Sequence, residues 1–333
     1  MTIRPDKERL LLLALNGKET AYGDGLATVN KLFPVRKLDP ERKPTTANDE
    51  ATFNGVDGPT RQDIEKWEGN LPIGFDLTPS MAGYMYALGM GAVATTNPFA
   101  GVYQHVFTEI AGYQNPSTNV AVKEATGAQR KYKGVVCGKF TEKISMGNKR
   151  LEATMDLHSD GTVSDDVTAT PAITQDTFWR GGDTTLTINA TPWTAKVADI
   201  EAGLDNGLEA DTAWKIGGGM YRTSHERHKE RTRTLKVTLA PADATDLNTI
   251  KGWIENQTAL ALVVTTTGGV IASTYHFTNT WSIPKCQVKS SWKLAGGIGA
   301  REQIVLELEV LYDTVTSKFW DRTVVNDVAT YLV

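Results

Sequence analysis

The feature that most constrains this chain is internal repetition. Residues 75–157 and 235–312 pass through the same succession of local patterns. Each begins on a strand-like run that ends at a proline, Phe75-Asp-Leu-Thr-Pro79 in one and Val237-Thr-Leu-Ala-Pro241 in the other. A short amphipathic segment follows, then a matched cluster, Tyr103-Gln-His-Val-Phe-Thr108 and Tyr275-His-Phe-Thr278. Each stretch then uses one of the chain's two cysteines, Cys137 and Cys286, and closes on a strongly alternating run. A chain built twice points to a component of a symmetric assembly in preference to an enzyme with a single pocket.

A length of 333 residues accommodates two such units with a core each. We place the first unit at 1–157, a linker rich in Ser, Thr, Asp and Gly at 158–183, and the second unit at 184–333. The net charge of −4 provides no general attraction to nucleic acid. Two cysteines far apart make no disulfide scaffold, and each reads as a small apolar residue in its own core, in keeping with a reducing compartment. The apolar run Leu10–Leu15 is too short for a signal-peptide core, and no membrane anchor is expected.

Most of the chain reads as strand. In Leu151–Leu157, Leu151, Ala153, Met155 and Leu157 alternate with Glu152, Thr154 and Asp156; Ile304–Tyr312 repeats the pattern against Glu307 and Glu309. Period two marks half-buried antiparallel strands. Ala259–Thr267 and Val270–Thr278 predict a hairpin about Gly268-Gly269, and Thr184–Asn189 another short strand. Met81, Tyr84, Met85 and Leu88 form one helical stripe, with Thr78 as cap and Pro79 at the first helical position. Leu247, Ile250 and Ile254 form a second, with Asp243 and Asp246 at its positive end. The fold class is therefore mainly β, in two halves with one helix each. Lys37–Gly58 and Ile216–Arg231 lack periodicity and sit just before the proline-ended strand of each half, so we read them as equivalent long arms, ordered by a neighbour.

The search for catalytic residues is nearly empty. His225 and His228 lie three apart, but no third ligand stands nearby, and an exposed charged loop is the simpler account. Gly296-Gly-Ile-Gly299 lacks the Lys-Ser/Thr of a nucleotide loop and reads as a hairpin turn. His105 and His276 recur beside aromatics as strand positions with satisfied imidazoles. Trp67, Trp193, Trp214 and Trp281 lie in strand-like runs where core packing is simplest. We expect no catalytic, cofactor or metal site. One polar pattern invites more: Asp199, Glu201 and Asp205 share one face of a strand whose other face is Ala198, Ile200, Ala202 and Leu204. Either this is an ordinary solvated surface, or the carboxylates line a channel. A carboxylate wall repels a phosphate backbone over roughly 8 Å at physiological salt, where lysines would grip it.

Lys18-Glu-Thr-Ala-Tyr-Gly23, Trp67-Glu-Gly-Asn-Leu71 leading to Leu77-Thr-Pro79, Tyr103–Phe107, Gly134–Ile144, Leu151–Leu157, Ile200–Leu208 and Val325–Tyr331 follow one another in an order that resembles the tail tube (major tail) proteins of long-tailed bacteriophages. Lys37–Gly58 and His225–Arg231 have no counterpart in that pattern. The resemblance covers almost the whole chain. It implies two tandem β-sandwich or barrel domains, each flanked by a helix, whose sheets join those of neighbours into an inner β-barrel, with residues 323–333 as a C-terminal arm. It implies a virion protein, assembled in the host cytoplasm, that stacks as rings into the conduit for DNA ejection, without enzyme activity. A trimer ring with pseudo-six-fold symmetry is favoured over a hexamer. Tape measure, tail terminator and baseplate proteins would be its other partners, and genomic DNA would pass without specific binding. The alternatives are a tail-end or baseplate hub ring, and a host- or glycan-binding module.

Overall fold

The structure is a computed structural model describing residues 10–14, 17–29, 31–48, 62–112, 114–123, 129–165, 177–208, 214, 219–289, 294–295 and 303–332. The first half contributes β1 (Leu10–Leu13), β2 (Lys31–Phe33), β3 (Lys37–Leu38), β4 (Glu41–Asn48), β5 (Gln62–Asp76), α1 (Pro79–Met90), β6 (Gly91–Phe99), β7 (Val102–Glu109), β8 (Thr118–Lys123), β9 (Gln129–Ser145), β10 (Glu152–Ser159) and β11 (Val163–Ser164). The second contributes β12 (Thr184–Ile188), β13 (Thr191–Pro192), β14 (Val197–Asp205), β15 (Thr232–Leu239), α2 (Ala244–Glu255), β16 (Leu260–Ala272), β17 (Tyr275–Val288), β18 (Leu294–Ala295), β19 (Gln303–Val310) and β20 (Asp321–Asn326). The chain is mainly β, as its alternation predicts, and its strands join in one antiparallel sheet that does not close on itself.

The two halves share part of a strand order, although the clusters Tyr103–Thr108 and Tyr275–Thr278 fall on β7 and β17, which do not correspond in it. In the first half β10 lies between β5 and β9, with β3 and β4 on the far side of β5. In the second, β19 lies between β15 and β17, with β14 on the far side of β15. Cys137 stands opposite Leu157 and Cys286 opposite Val310, the same place in each block. The two four-stranded blocks meet edge to edge where β14 pairs with β9, Asp199 opposite Ser145 through Asp205 opposite Lys139.

The blocks do not keep separate cores. One cluster of buried apolar side chains runs from Leu11 through Phe140 and Ile200 to Leu332. The reason is α1. Thr78 caps it through Oγ1, which accepts from the Met81 amide at 3.4 Å, and Pro79 opens it. Every residue of α1 is buried, not only the predicted stripe, as befits a helix apolar on all sides. It packs on β9 from one half and on β20 and β17 from the other. α2 keeps the predicted one-sided pattern, with Ile250 and Trp253 buried, Asp243 capping the Asp246 amide at 2.9 Å, and Asp246 paired with Lys196 at 2.5 Å.

Several sequence expectations move. The β16–β17 turn falls at Ser273-Thr274, Ser273 taking φ 53°, and not at Gly268-Gly269. Gly268 instead sits in a bulged strand, where the Trp179 indole would lie 3.1 Å from any Cβ. Of the expected arm 323–333, the described residues are not free: β20 is an interior strand between β17 and β7, and the Tyr331 ring packs on Gly83 of α1. The 158–183 segment is not a simple linker, because His158 and Ser159 complete β10 and Trp179 is buried in the shared core. Of the first arm, residues 37–48 form β3 and β4; residues 49–58, like 216–218 and Gly296–Gly299, lie outside the described residues.

Candidate functional site

The main sheet has one apolar and one polar face. Ala198, Ile200, Ala202 and Leu204 of β14 are buried, while Asp199 is half-buried and Glu201 and Asp205 are exposed. Neighbouring strands extend the polar face with Glu152 and Asp156 of β10, Lys139 and Lys143 of β9, Lys236 of β15, and Glu307 and Glu309 of β19. The predicted carboxylates thus share one surface, and lysines stand opposite two of them, Lys139 facing Asp205 and Lys143 facing Glu201. Cross-strand opposite charges add about 0.2–1 kcal/mol each. Of the side chains named here seven are carboxylates and three lysines, and Arg36, Lys37 and Lys289 add positive charge to the same face, where Arg36 pairs with Asp76 and Glu152 and Lys289 with Glu309. The face is also hollowed: Asp39, Glu41, Asn70, Lys139, Asp156 and Asp205 line a concavity of about 700 Å³.

The edges of the sheet differ from its middle. The long strand β9 shares one side between β8, over Gln129–Val135, and β14, over Lys139–Ser145. The long strand β17 is partnered by β16 only as far as Cys286. Beyond that point Gln287 and Val288 pair with β19, and no strand among the described residues lies on their other side. At the opposite end of the sheet, β3 and β4 are the last strands, paired to β5. In the β4–β5 ribbon Glu41–Pro44 and Gln62–Glu65 are exposed, and its outer end pairs Thr46 with Ile64 and Ala47 with Asp63. A two-stranded ribbon of this kind has little stability of its own in water.

No family model matches the chain, and no curated protein matches it. Among the described residues no helix is long and apolar enough to cross a membrane.

The second arm is not an exposed loop. His225 is 3 % exposed, Arg222 6 % and Arg231 8 %. Its chain lies over the first half: the Trp67 amide donates to Met220 O at 2.9 Å and the Arg222 amide to Asp160 O at 3.0 Å. His225 sits 3.1 Å from the Arg222 guanidinium, edge-on to Tyr22 and close to His158. His228, by contrast, is exposed, so the two histidines do not converge. Arg231 donates to Asn206, Ile110 O and Asn115, and joins Arg233 on Glu109. Beneath the arm lies the turn of the Lys18–Gly23 motif. Its Glu19 carboxylate accepts from the amides of Gly23, Gly25 and Gly134 and from Ser117 Oγ. Gly23 and Gly25 take φ 74° and 71°, which explains why this turn needs glycine.

Burial sets the proton affinities of this cluster. Desolvation, with the Arg222 charge adding to it, holds His225 well below the ordinary imidazole value of 6.5 and lowers His158 too. Burial, assisted by Glu19, pushes Asp160 up to about 7 despite its hydrogen bond from the Thr162 amide. The folded chain therefore binds fewer protons than the unfolded chain at the histidines below about pH 6.5, and stability falls there on acidification. At Asp160 the folded chain binds more protons between about pH 4 and 7, and stability falls as pH rises through 7. Asp160→Asn keeps the acceptor and removes the charge. Its unfolding free energy from urea titration should exceed the parent's at pH 8 by on the order of 1–4 kcal/mol, and the gain should be clearly smaller at pH 5 and vanish below about pH 4. An equal difference at both pH values would refute the assignment.

Other predicted positions fall as follows. His105 is fully buried between Thr95 Oγ1 at 2.9 Å and Val328 O at 2.8 Å, and His276 bonds Gly268 O at 3.1 Å, so both imidazoles are satisfied. Trp193 and Trp281 are core residues, but Trp67 is half-buried beneath Arg42 and Trp214 lies outside any strand, against Lys66 and Arg222. Sequence reasoning missed a buried polar cluster. Tyr86 Oη donates to Glu142 at 2.6 Å, and Arg322, fully buried between Trp281 and Trp320, lies 3.5 Å from Glu142. Its one sequence signal was Glu142, which occupies the apolar register of β9 between Phe140 and Ile144.

Proposed function

We propose that this protein is a structural subunit that closes with copies of itself into a ring, and that the rings stack as the tail tube of a long-tailed bacteriophage, the conduit for DNA ejection. The observation that carries the reading is the sheet. It contains two like antiparallel blocks joined edge to edge, and the outer positions of that pair, β3 and β4 on one side and Gln287–Val288 of β17 on the other, could continue the same pattern. An unpaired edge invites strand addition, and a ring of identical copies satisfies every edge without open-ended aggregation. Because each chain supplies two blocks, three chains give a pseudo-six-fold barrel, with two domains per chain built on the tail-tube plan.

In such a barrel the apolar face carries α1 and α2 on the outside, and the hollowed polar face, with Asp199, Glu201 and Asp205, lines the bore. Its carboxylates keep a duplex off the wall. The exposed β4–β5 hairpin is the stacking arm that orders against the next ring. The protein works by shape, edge pairing and lumen charge, without turnover, and resides in the virion tail beside tape measure, terminator and baseplate proteins. Negative-stain electron microscopy of the purified protein tests this. Open-ended tubes are expected; isolated rings would assign the fold to a tail-end or baseplate hub component, and a monomer at every concentration would end the reading.

A further inference from the structure

The chain contains one complete joint between blocks, and that joint gives the register of the contact between copies. In the joint, β14 occupies the side of β9 that continues the ladder of β8. The matching place on β17 is the side that continues the ladder of β16 past Cys286, at Gln287–Lys289. The strand matching β14 in the first half is the segment of β3 and the start of β4. β14 pairs with β15, the strand leading to Pro241, as β3 and β4 pair with β5, the strand leading to Pro79.

The residues can be matched one by one. Lys139 stands opposite Asp156, next to the partner of Cys137; Gln287 stands opposite Glu309, next to the partner of Cys286. Lys139 therefore corresponds to Gln287, and Thr141 to Lys289. On the other strand, Phe75 pairs with Ala153 and Val237 with Leu306, which occupy the same place in their blocks. Counting five residues back along each strand brings Asn70 onto Thr232. Their partners are Glu41 and Asp205, so Glu41 corresponds to Asp205 and Asp39 to Gly203.

We infer that Gln287–Lys289 of one copy receives the Asp39–Glu41 segment of a second copy as an antiparallel strand, with Glu41 opposite Gln287 and Asp39 opposite Lys289. The inference deepens the tube reading and rests on it for the existence of a ring. The charges agree: an acidic residue meets a lysine, as Glu201 meets Lys143 in the internal joint. The contact is head to tail, because the two surfaces differ, and strand directions alternate across it as they do across β9 and β14. Such a contact forms a ring where its rotation closes, and the ring then leaves neither surface unpaired.

The test is a cross-link. Directly opposed residues of an antiparallel pair bring their Cα atoms to about 4.5–5.5 Å, within disulfide reach. Cys137 and Cys286 are buried and stay silent. The Glu41→Cys, Gln287→Cys double variant, oxidised under native conditions, should give a ladder of covalent multimers on a non-reducing gel, ending at the ring size. An equimolar mixture of the two single variants should give dimer and nothing larger, and each single variant alone should stay monomeric. Self-linking of one single variant would indicate a two-fold contact and overturn the inference. Tubes without any ladder would overturn the register and leave the tube reading intact; a ladder in rings that never stack would do the reverse. A chain monomeric at every concentration would overturn both. If the double variant misfolds, Asp39→Cys with Lys289→Cys probes the same seam two residues along.

Discussion

Gln287→Glu combined with Lys289→Glu is expected to leave the monomer folded and to stop assembly. Both side chains lie on the polar face; the exposed Lys289 pairs with Glu309 at 2.9 Å, and the half-exposed Gln287 donates from Nε2 to Gln257 O at 2.7 Å. Losing the exposed pair costs the monomer about 0–1 kcal/mol and losing the exposed hydrogen bond about 0.5–1.5 kcal/mol. In the ring the new carboxylates face Glu41 and Asp39 of the neighbour, and two attractive or neutral contacts become two repulsive ones. At about 0.2–1 kcal/mol for each cross-strand pair, the change approaches 1–2 kcal/mol per seam, about ten-fold in seam affinity, and it multiplies over every seam of a ring. Sedimentation velocity should show monomer at concentrations where the parent polymerises. Adding Asp39→Lys and Glu41→Lys to the same chain should restore assembly. Parent-like polymerisation of the double variant would remove the seam from the account.

Glu142→Ala is expected to be the most damaging single substitution for the monomer. Glu142 is 1 % exposed and Arg322 fully buried, and burial raises the Glu142 carboxyl above its ordinary value while Arg322 and the Tyr86 hydroxyl hold it down. Truncation leaves the guanidinium between two indoles with no counter-charge and removes the closer of two acceptors of the Tyr86 hydroxyl, Asn279 Oδ1 at 3.1 Å remaining. Breaking one side of a buried pair costs about 3–5 kcal/mol. A urea titration should show that loss. Glu142→Leu with Arg322→Met replaces both charges by apolar groups of similar size and should recover most of it, since removing a whole buried pair is often neutral. A loss below about 1 kcal/mol for Glu142→Ala would mean that Arg322 is neutralised by other means. The pair matters to architecture because it ties β9 and α1 of the first half to β20 and its neighbours in the second.

The particular elements show where sequence reasoning reached and where it stopped. Alternation in Leu151–Leu157 and Ile304–Val310 was sufficient to place β10 and β19 and their buried faces, because a strand's two faces follow from parity alone. Thr78-Pro79 and Asp243 marked the helix starts, because caps are local chemistry. The same parity put Asp199, Glu201 and Asp205 on one side of β14. Missed was everything that depends on which segment lies on which. The shared core arises because α1 is claimed by strands from both halves, and the arm around His225 is buried because it lies on Asp160 and Trp67, more than sixty residues away in the chain. The β16–β17 turn does not use its glycine pair, and Trp179, far away in the sequence, packs over Gly268. Periodicity and caps are properties of neighbours along the chain, and so the sequence by itself determined the strands and the helix starts. Burial of a charge, the closeness of two histidines and the exposure of a sheet edge are properties of neighbours in space, and only the tertiary structure decided those.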